Sequence, residues 1–426
     1  MLNFDNLNKF SKTNTSLSAR ASFFTESATL KASMLARNMI LAGKDVIDLG
    51  IGEPDFLPPE NLRRNVAQNE IIGHKVYGNI EGSRELIESI ILKIKRDNGL
   101  EYNGTQIFTS DGGKVALDRA IETLIDKDDE VIIPAPCWVS YIPQVKLAGG
   151  KAIVVFAGVD QAYKITPQQL ENAITERTKL FIFCPLSNPT GMYYTPQEQK
   201  ALGEVLLKYP HITIITDDIY EHLLFSKHDK FINLINIFPE LKSRTLILNG
   251  CTKSHSWRFS YMAGPEDIIA AMKKIHSHRS GHPTFAGQAG AIYAFNTGKQ
   301  PHVVASFEAR HAALLPLIQN MPGWRCCTAD GAFYVLADIA ESLKRTGIND
   351  EIEYQAAMLE HAQVSCVPGP AFLAPGCIRL SLVQPLPRLV EALRRIQQWL
   401  LKCELANSQI ILADQTSFYS MPKSKL

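Results

Sequence analysis

The 426-residue chain predicts an α/β fold: a mostly parallel mixed sheet sandwiched by helices, followed by a smaller α/β domain. Three observations carry that expectation. Short apolar, β-branched runs recur along the chain, and each ends in a polar or glycine-rich turn. Segments of helical period lie between many of them. The runs are continuously apolar rather than alternating, as strands buried on both faces of a parallel sheet must be.

In chain order the strand candidates are "VIDLGIGEPDF", "QIFTSDGGK", "DEVIIPAPCW", "KAIVVFAG", "TKLFIFCPLSNPTG", "ITIITDDIY" and "RTLILNGCTK". Helical spacing covers Val115–Ile125 and Pro196–Leu207 between them. After about residue 300 the texture changes. A helical stretch, Val303–Gln319, precedes strand-like "GAFYVLADI"; more helix, "IRLSLV" and a last helix over Pro387–Glu404 follow. The expected division is a segment 1–49 joining the small domain, a large domain 50–300, a small domain 301–404 and an extension 405–426.

Apolar residues make up 46% and charged residues 20%, and the formal net charge is +1. No global field would draw nucleic acid or an anionic membrane, so neither is an expected partner. No apolar run approaches the roughly 20 residues of a bilayer-spanning helix. The polar N-terminus has no apolar core of the secretory kind. Eight cysteines include no C-x-x-C pair, which fits reduced thiols and a cytoplasmic setting. The final Ser424-Lys425-Leu426 would be a peroxisomal address in a eukaryotic chain.

Ligands of such sheets bind beyond the carboxyl ends of the strands. Gly112, Gly113, Trp138, Asn188, Asp217, Tyr220 and Lys253 all follow strand candidates, so they converge on one edge. A dinucleotide site does not fit, because "GIGEPD" lacks a third glycine. "DGGKVA" is not the nucleotide phosphate loop either. Gly112-Gly113 open a helix whose free N–H groups and dipole suit a phosphate. A phosphate cradle, a carboxylate, a phenol, an amide and a lysine together fit pyridoxal phosphate. The lysine would condense with the aldehyde, and the carboxylate would keep the pyridine nitrogen protonated. Taken singly, Lys253 reads as a loop lysine, Asp217 as a helix cap, Trp138 and Tyr77 as core aromatics, and Arg379 as a strand-edge residue. For Lys253, its place in the strand-end set favours the joint reading.

"LGIGEPDF", "GGKVAL", "PCWVSY", "SNPTG", "DDIYEHL", "DGAFYVL" and "IRLS" stand in this order from about Ser18 to Leu393. On these motifs the chain resembles the class I/II aminotransferases of the fold-type-I pyridoxal-phosphate enzymes, nearest the bacterial-type aspartate aminotransferase subgroup. The resemblance implies that Lys253 is the Schiff-base lysine and the acid/base that moves a proton between Cα and C4′. Asp217 would pair with the pyridine N–H, Asn188 and Tyr220 would bond the ring's O3′, and Trp138 would stack on the ring. Gly112, Gly113 and Lys114 would form the turn at the phosphate, with Arg258 as its cation. Tyr77 would reach the phosphate of a neighbouring subunit, which implies a homodimer with shared sites. Arg379 would clamp the substrate α-carboxylate, with Gly52, Trp138 and Asn188 beside it. Ser27 and Thr29, with Lys114, fall where that subgroup contacts a distal carboxylate, and they also suit capping of a helix at Leu30–Leu41.

The implied reaction is ping-pong transamination of an L-amino acid, with aspartate favoured and 2-oxoglutarate as acceptor. One segment departs from the pattern. Arg258 stands five positions after Lys253, three fewer than the family's usual spacing, and Ser256 and Ser260 stand near where glycines are usual. The shortened loop is therefore expected to change how Arg258 reaches the phosphate. The departure keeps open a carbon–sulfur lyase, an oxidase or a decarboxylase of the same fold; against a third reading, a non-catalytic dimeric binding protein, stands the intact set of Asn188, Asp217, Tyr220, Lys253 and Arg379. His276, His278 and His282 do not have a metal-ligand spacing, so no metal is expected. Arg279 or one of these histidines would face the neighbouring subunit.

Overall fold

The structure, a computed structural model, describes residues 18, 28–72 and 77–419. In chain order its strands are β1 (Ile47–Asp48), β2 (Ile107–Ser110), β3 (Glu130–Ala135), β4 (Lys151–Phe156), β5 (Thr178–Phe183), β6 (Thr213–Asp217), β7 (Thr245–Gly250), β8 (Ser260–Ala263), β9 (Arg325–Cys326), β10 (Tyr334–Asp338), β11 (Val364–Ser365), β12 (Val367–Pro368) and β13 (Cys377–Ser381). The large sheet runs β2-β8-β7-β6-β5-β3-β4. Strands β4, β3, β5, β6 and β7 are parallel, and β8 is antiparallel to both of its neighbours. The fold class expected from the sequence is the one observed.

The sequence explains the central strands directly. All six residues of β7 are buried, and Leu246, Ile247 and Leu248 leave water almost completely. Each such side chain contributes roughly 1.5–3 kcal/mol on burial, and this fixes the depth at which the chain emerges toward Lys253. The helix Pro196–Leu207 starts at "TPQE": Thr195 and Glu198 cap each other's backbone N–H groups, and proline occupies the first turn. The helix Gly113–Leu124 packs its apolar face on the sheet through Ala116, Leu117, Ala120 and Ile121.

Two strands differ from expectation. The "VIDLG" run does not join the large sheet; β1 pairs in parallel with β11. β8 was not expected, because "SYMA" is short and half polar. Its pairing between β2 and β7 supplies what its composition does not.

A second sheet, β12-β13-β10-β9, is antiparallel and packs its own core under the helices that follow residue 300. The last helix runs from Leu386 to Tyr419, past the expected end at Glu404. Among the described residues no helix is long and apolar enough to cross a membrane.

Candidate active site

The carboxyl ends of β2, β3, β5, β6 and β7 open on one cavity of ≈ 480 Å³, closed on its far side by β10 and β13. Gly52, Gly113, Lys114, Trp138, Asn188, Asp217, Tyr220, Lys253, Arg258 and Arg379 all line it. Residues from seven separate stretches of sequence thus meet in one cavity.

Asp217 is the last residue of β6 and is buried. Burial raises its carboxyl above the usual carboxylate range; the Tyr141 hydroxyl, donating at 2.7 Å, and the Ile219 N–H, at 3.3 Å, oppose that rise. Lys253 lies just beyond β7, and its Nζ donates to the Gly52 carbonyl. Burial lowers its pKa to about 8, and the nearby charges of Arg379 and Arg258 push in the same direction. A buried carboxylate and a buried amine that is half neutral near pH 8 therefore share one cavity.

Tyr220 donates to or accepts from Tyr334, whose hydroxyl lies 3.1 Å away. Trp138 forms the cavity wall, packed edge-on against Tyr141 with ring centroids 5.5 Å apart. Lys114 places its ammonium 5.5 Å from the Trp138 ring.

At the other end, Gly112 takes φ +117, a conformation that suits glycine, and a Cβ there would run into the Arg258 guanidinium. Arg258 donates to the Asp111 carbonyl at 3.2 Å. Across the shortened connection, Arg258 thus stands at this turn. Within the shortened connection Ser256 adopts φ +52, with its hydroxyl donating to the Phe56 carbonyl at 2.6 Å.

Arg379, in β13, is buried, and its guanidinium carbon lies over the rings of Tyr334 and Phe372, 4.6 and 4.7 Å from their centroids. It donates to Asn188 Oδ1 at 3.2 Å and to the Gly50 carbonyl at 2.6 Å. Its Nε has no partner among the described residues, and neither does the buried Thr252 Oγ1 at the cavity wall.

These features fit pyridoxal phosphate on the chain's own chemistry. No side chain caps the N-terminus of the Gly113–Leu124 helix, which opens beside Arg258 as an anion site. Asp217 lies deep in the cavity with donors on only part of its surface, ready for a ring N–H. The orphaned donor on Arg379 calls for an anionic acceptor.

Other sequence-derived residues lie elsewhere. Tyr77 is 86% exposed and does not line the cavity. Ser27 lies outside the described residues, and so does the side chain of Thr29, which is in the helix Ala28–Leu41. Arg279 pairs with Glu122 of the same chain, and His276 is buried against Phe108. Tyr141, Thr252, Tyr334 and Phe372 carry site contacts that the sequence reading did not assign. Tyr141 and Tyr334 do lie inside quoted motifs, so a buried hydroxyl beside a motif residue was the available signal.

The profile of the family described as Aminotransferase class I and II matches residues 44–396. The chain is 41% identical to an aspartate aminotransferase of Bacillus subtilis, over 91% of this chain and 99% of the relative. It is 39% identical to an aspartate/prephenate aminotransferase of Nitrosomonas europaea, over 89% and 98%. Among solved structures, the aspartate aminotransferase of Rhizobium meliloti superposes with a TM-score of 0.86 at 33% identity, covering 91% of this chain and 99% of that one. The enzyme of Thermus thermophilus with maleate gives 0.84 at 30% identity, covering 90% and 100%. With that cavity at its sheet edge, the chain belongs to the class I and II aminotransferases and is a pyridoxal-phosphate-dependent aminotransferase acting on an amino acid and a 2-oxo acid.

Proposed function

We propose that this enzyme takes its amino group from L-aspartate or a closely related donor and passes it to 2-oxoglutarate. The observation that carries this reading is the pairing, in one cavity, of the incompletely bonded Arg379 guanidinium with the Lys114 ammonium. Two separated cations suit a substrate with two carboxylates. The relatives named for aspartate support the same choice.

When bound, pyridoxal phosphate supplies an aldehyde that condenses with amines and a protonated ring that withdraws electrons from the amino acid's Cα. The chain's residues supply the rest. Asp217, its carboxylate held by Tyr141, would keep the ring nitrogen protonated. The Gly112–Lys114 turn and Arg258 would hold the phosphate, and Trp138 would cover the ring face. Asn188 and Tyr220 would bond the ring oxygen. Arg379 and Gly52 would fix the α-carboxylate, and Lys253 Nζ would be the acid/base that moves a proton between Cα and C4′. Ser27 and Thr29 join Lys114 at the distal carboxylate. The exposed Tyr77 serves the phosphate of a second copy, so the working form is a homodimer with shared sites. We take the compartment as cytoplasmic. Ser424-Lys425-Leu426, the peroxisomal alternative, lies outside the described residues.

The test is the visible absorption of the purified protein before and after L-aspartate, with 2-oxoglutarate added last. The expected result is conversion of the aldehyde form to the aminated form, reversed by 2-oxoglutarate. A spectrum indifferent to aspartate but changed by another amino acid would reassign the donor.

A further inference from the structure

The turn after β12, Gly369–Phe372, is followed by Leu373, which has φ +57 and ψ +38. Bulky side chains rarely adopt this left-handed conformation, because Cβ crowds the neighbouring carbonyl. Leu373 N–H closes the turn on the Pro370 carbonyl at 3.1 Å. Its side chain packs against the buried cluster of the large sheet that contains Cys137 and Tyr141. A strained residue held by packing across two units of the fold marks a place where geometry is being imposed.

The residue before it has two attachments. The Phe372 ring lies against the Arg379 guanidinium, with its centroid 4.7 Å from the guanidinium carbon. The Phe372 carbonyl accepts the Cys137 N–H at 3.0 Å, one residue before Trp138. One short turn therefore touches Arg379, the loop that presents Trp138, and the cluster that holds Tyr141, the partner of Asp217.

We infer that Phe372 and Leu373 are positioning residues that set the Arg379 guanidinium at a fixed height above the cofactor floor. This rests on the reading of Arg379 as the carboxylate clamp. Phe372 supplies a flat π face that confines the guanidinium plane, leaving its edge for a bidentate carboxylate. Leu373 anchors that face to the large-sheet core, so the clamp and the Trp138 wall keep one register.

The test uses the holoenzyme and four variants: Phe372→Leu, Phe372→Tyr, Leu373→Gly and Arg379→Lys. Three quantities are read: KM and kcat for both substrates, the Kd of maleate from titration of the cofactor's visible band, and the melting temperature. Phe372→Leu is expected to raise KM and the maleate Kd about 5- to 30-fold, the loss of a desolvated cation–π contact, with kcat nearly unchanged. Phe372→Tyr restores the π face and should return both to within about 3-fold of the parent. Leu373→Gly suits the left-handed backbone, so it should fold. It should raise both constants in the same direction and change the visible circular dichroism of the bound cofactor. If Phe372→Leu does not fold, the Leu373→Gly result decides. Parent-like constants and dichroism in both variants, while Arg379→Lys raises KM more than about 10-fold, would overturn the inference and leave the clamp intact. A parent-like KM in Arg379→Lys would instead remove the clamp reading, and the inference with it.

Discussion

The Tyr141 hydroxyl donates to Asp217 Oδ2 at 2.7 Å, and both groups are buried. This bond opposes the effect of burial, which raises the Asp217 carboxyl. In the proposed role at the ring nitrogen, Asp217 must be the carboxylate. Tyr141→Phe removes an opposing influence, so Asp217 should become protonated at a higher pH than in the parent. The acid limb of cofactor retention, followed by visible absorption against pH, should therefore move upward. An unmoved limb would show that Tyr141 does not support the charge.

Lys253 can attack an aldehyde only as the neutral amine. Burial first, then Arg379 and Arg258, bring its pKa down from the usual lysine value to about 8. Cofactor capture by the apoprotein should accelerate as pH rises, with a midpoint near 8, and level off above it. Removing a neighbouring positive charge raises a lysine pKa, so Arg258→Ala should shift this midpoint to higher pH. Stopped-flow mixing with excess pyridoxal phosphate reads both effects. A flat profile from pH 6 to 10 would argue against a lysine amine as the nucleophile.

Arg258 stands against Gly112 at the helix opening despite the short connection from Lys253. A charge-assisted bond to a phosphate contributes about 1.5–3 kcal/mol, so Arg258→Ala should weaken cofactor binding about 10- to 100-fold. Equilibrium dialysis gives the constant directly. Unchanged affinity would mean that helix N–H groups and Lys114 hold the phosphate alone.

The fold was legible because its central strands are apolar throughout, and residues at their carboxyl ends have nowhere to go but one edge. Asp217, Asn188 and Lys253 were found in that way. β8 was not, because a four-residue strand with two polar members owes its state to the strands on either side. Where Arg258 stands is not encoded in a residue count, because Ser256, between it and Lys253, takes a left-handed conformation. Tyr334 and Phe372 lie 38 residues apart and meet only across Arg379, a contact that no local pattern encodes.

Behind Tyr220, the next residue, Glu221, makes a buried ion pair with Lys93. The Glu221 carboxylate also accepts from Asn98 at 2.7 Å and lies 3.2 Å from His222, which contacts Asp97 at 3.0 Å. Asp97, Glu221 and His222 are close enough to hold a metal, but the Lys93 ammonium already pairs with the Glu221 carboxylate. Burial alone would raise the Glu221 carboxyl; Lys93, His222 and Asn98 together hold it below its usual range. A carboxyl depressed in the fold stabilises the native state above its unfolded pKa, and that stability is lost as pH falls. Lys93→Met leaves Glu221 buried and without its main counter-ion, a change that typically destabilises by about 3–5 kcal/mol. Adding Glu221→Leu removes the orphaned charge, so the double variant should recover much of the loss. Urea unfolding of the holoenzyme at pH 7 reads the cycle. A single variant as stable as the parent would mean that solvent reaches the pair. A double variant as unstable as the single one would mean that Glu221 is needed for Asn98 and His222 as much as for Lys93.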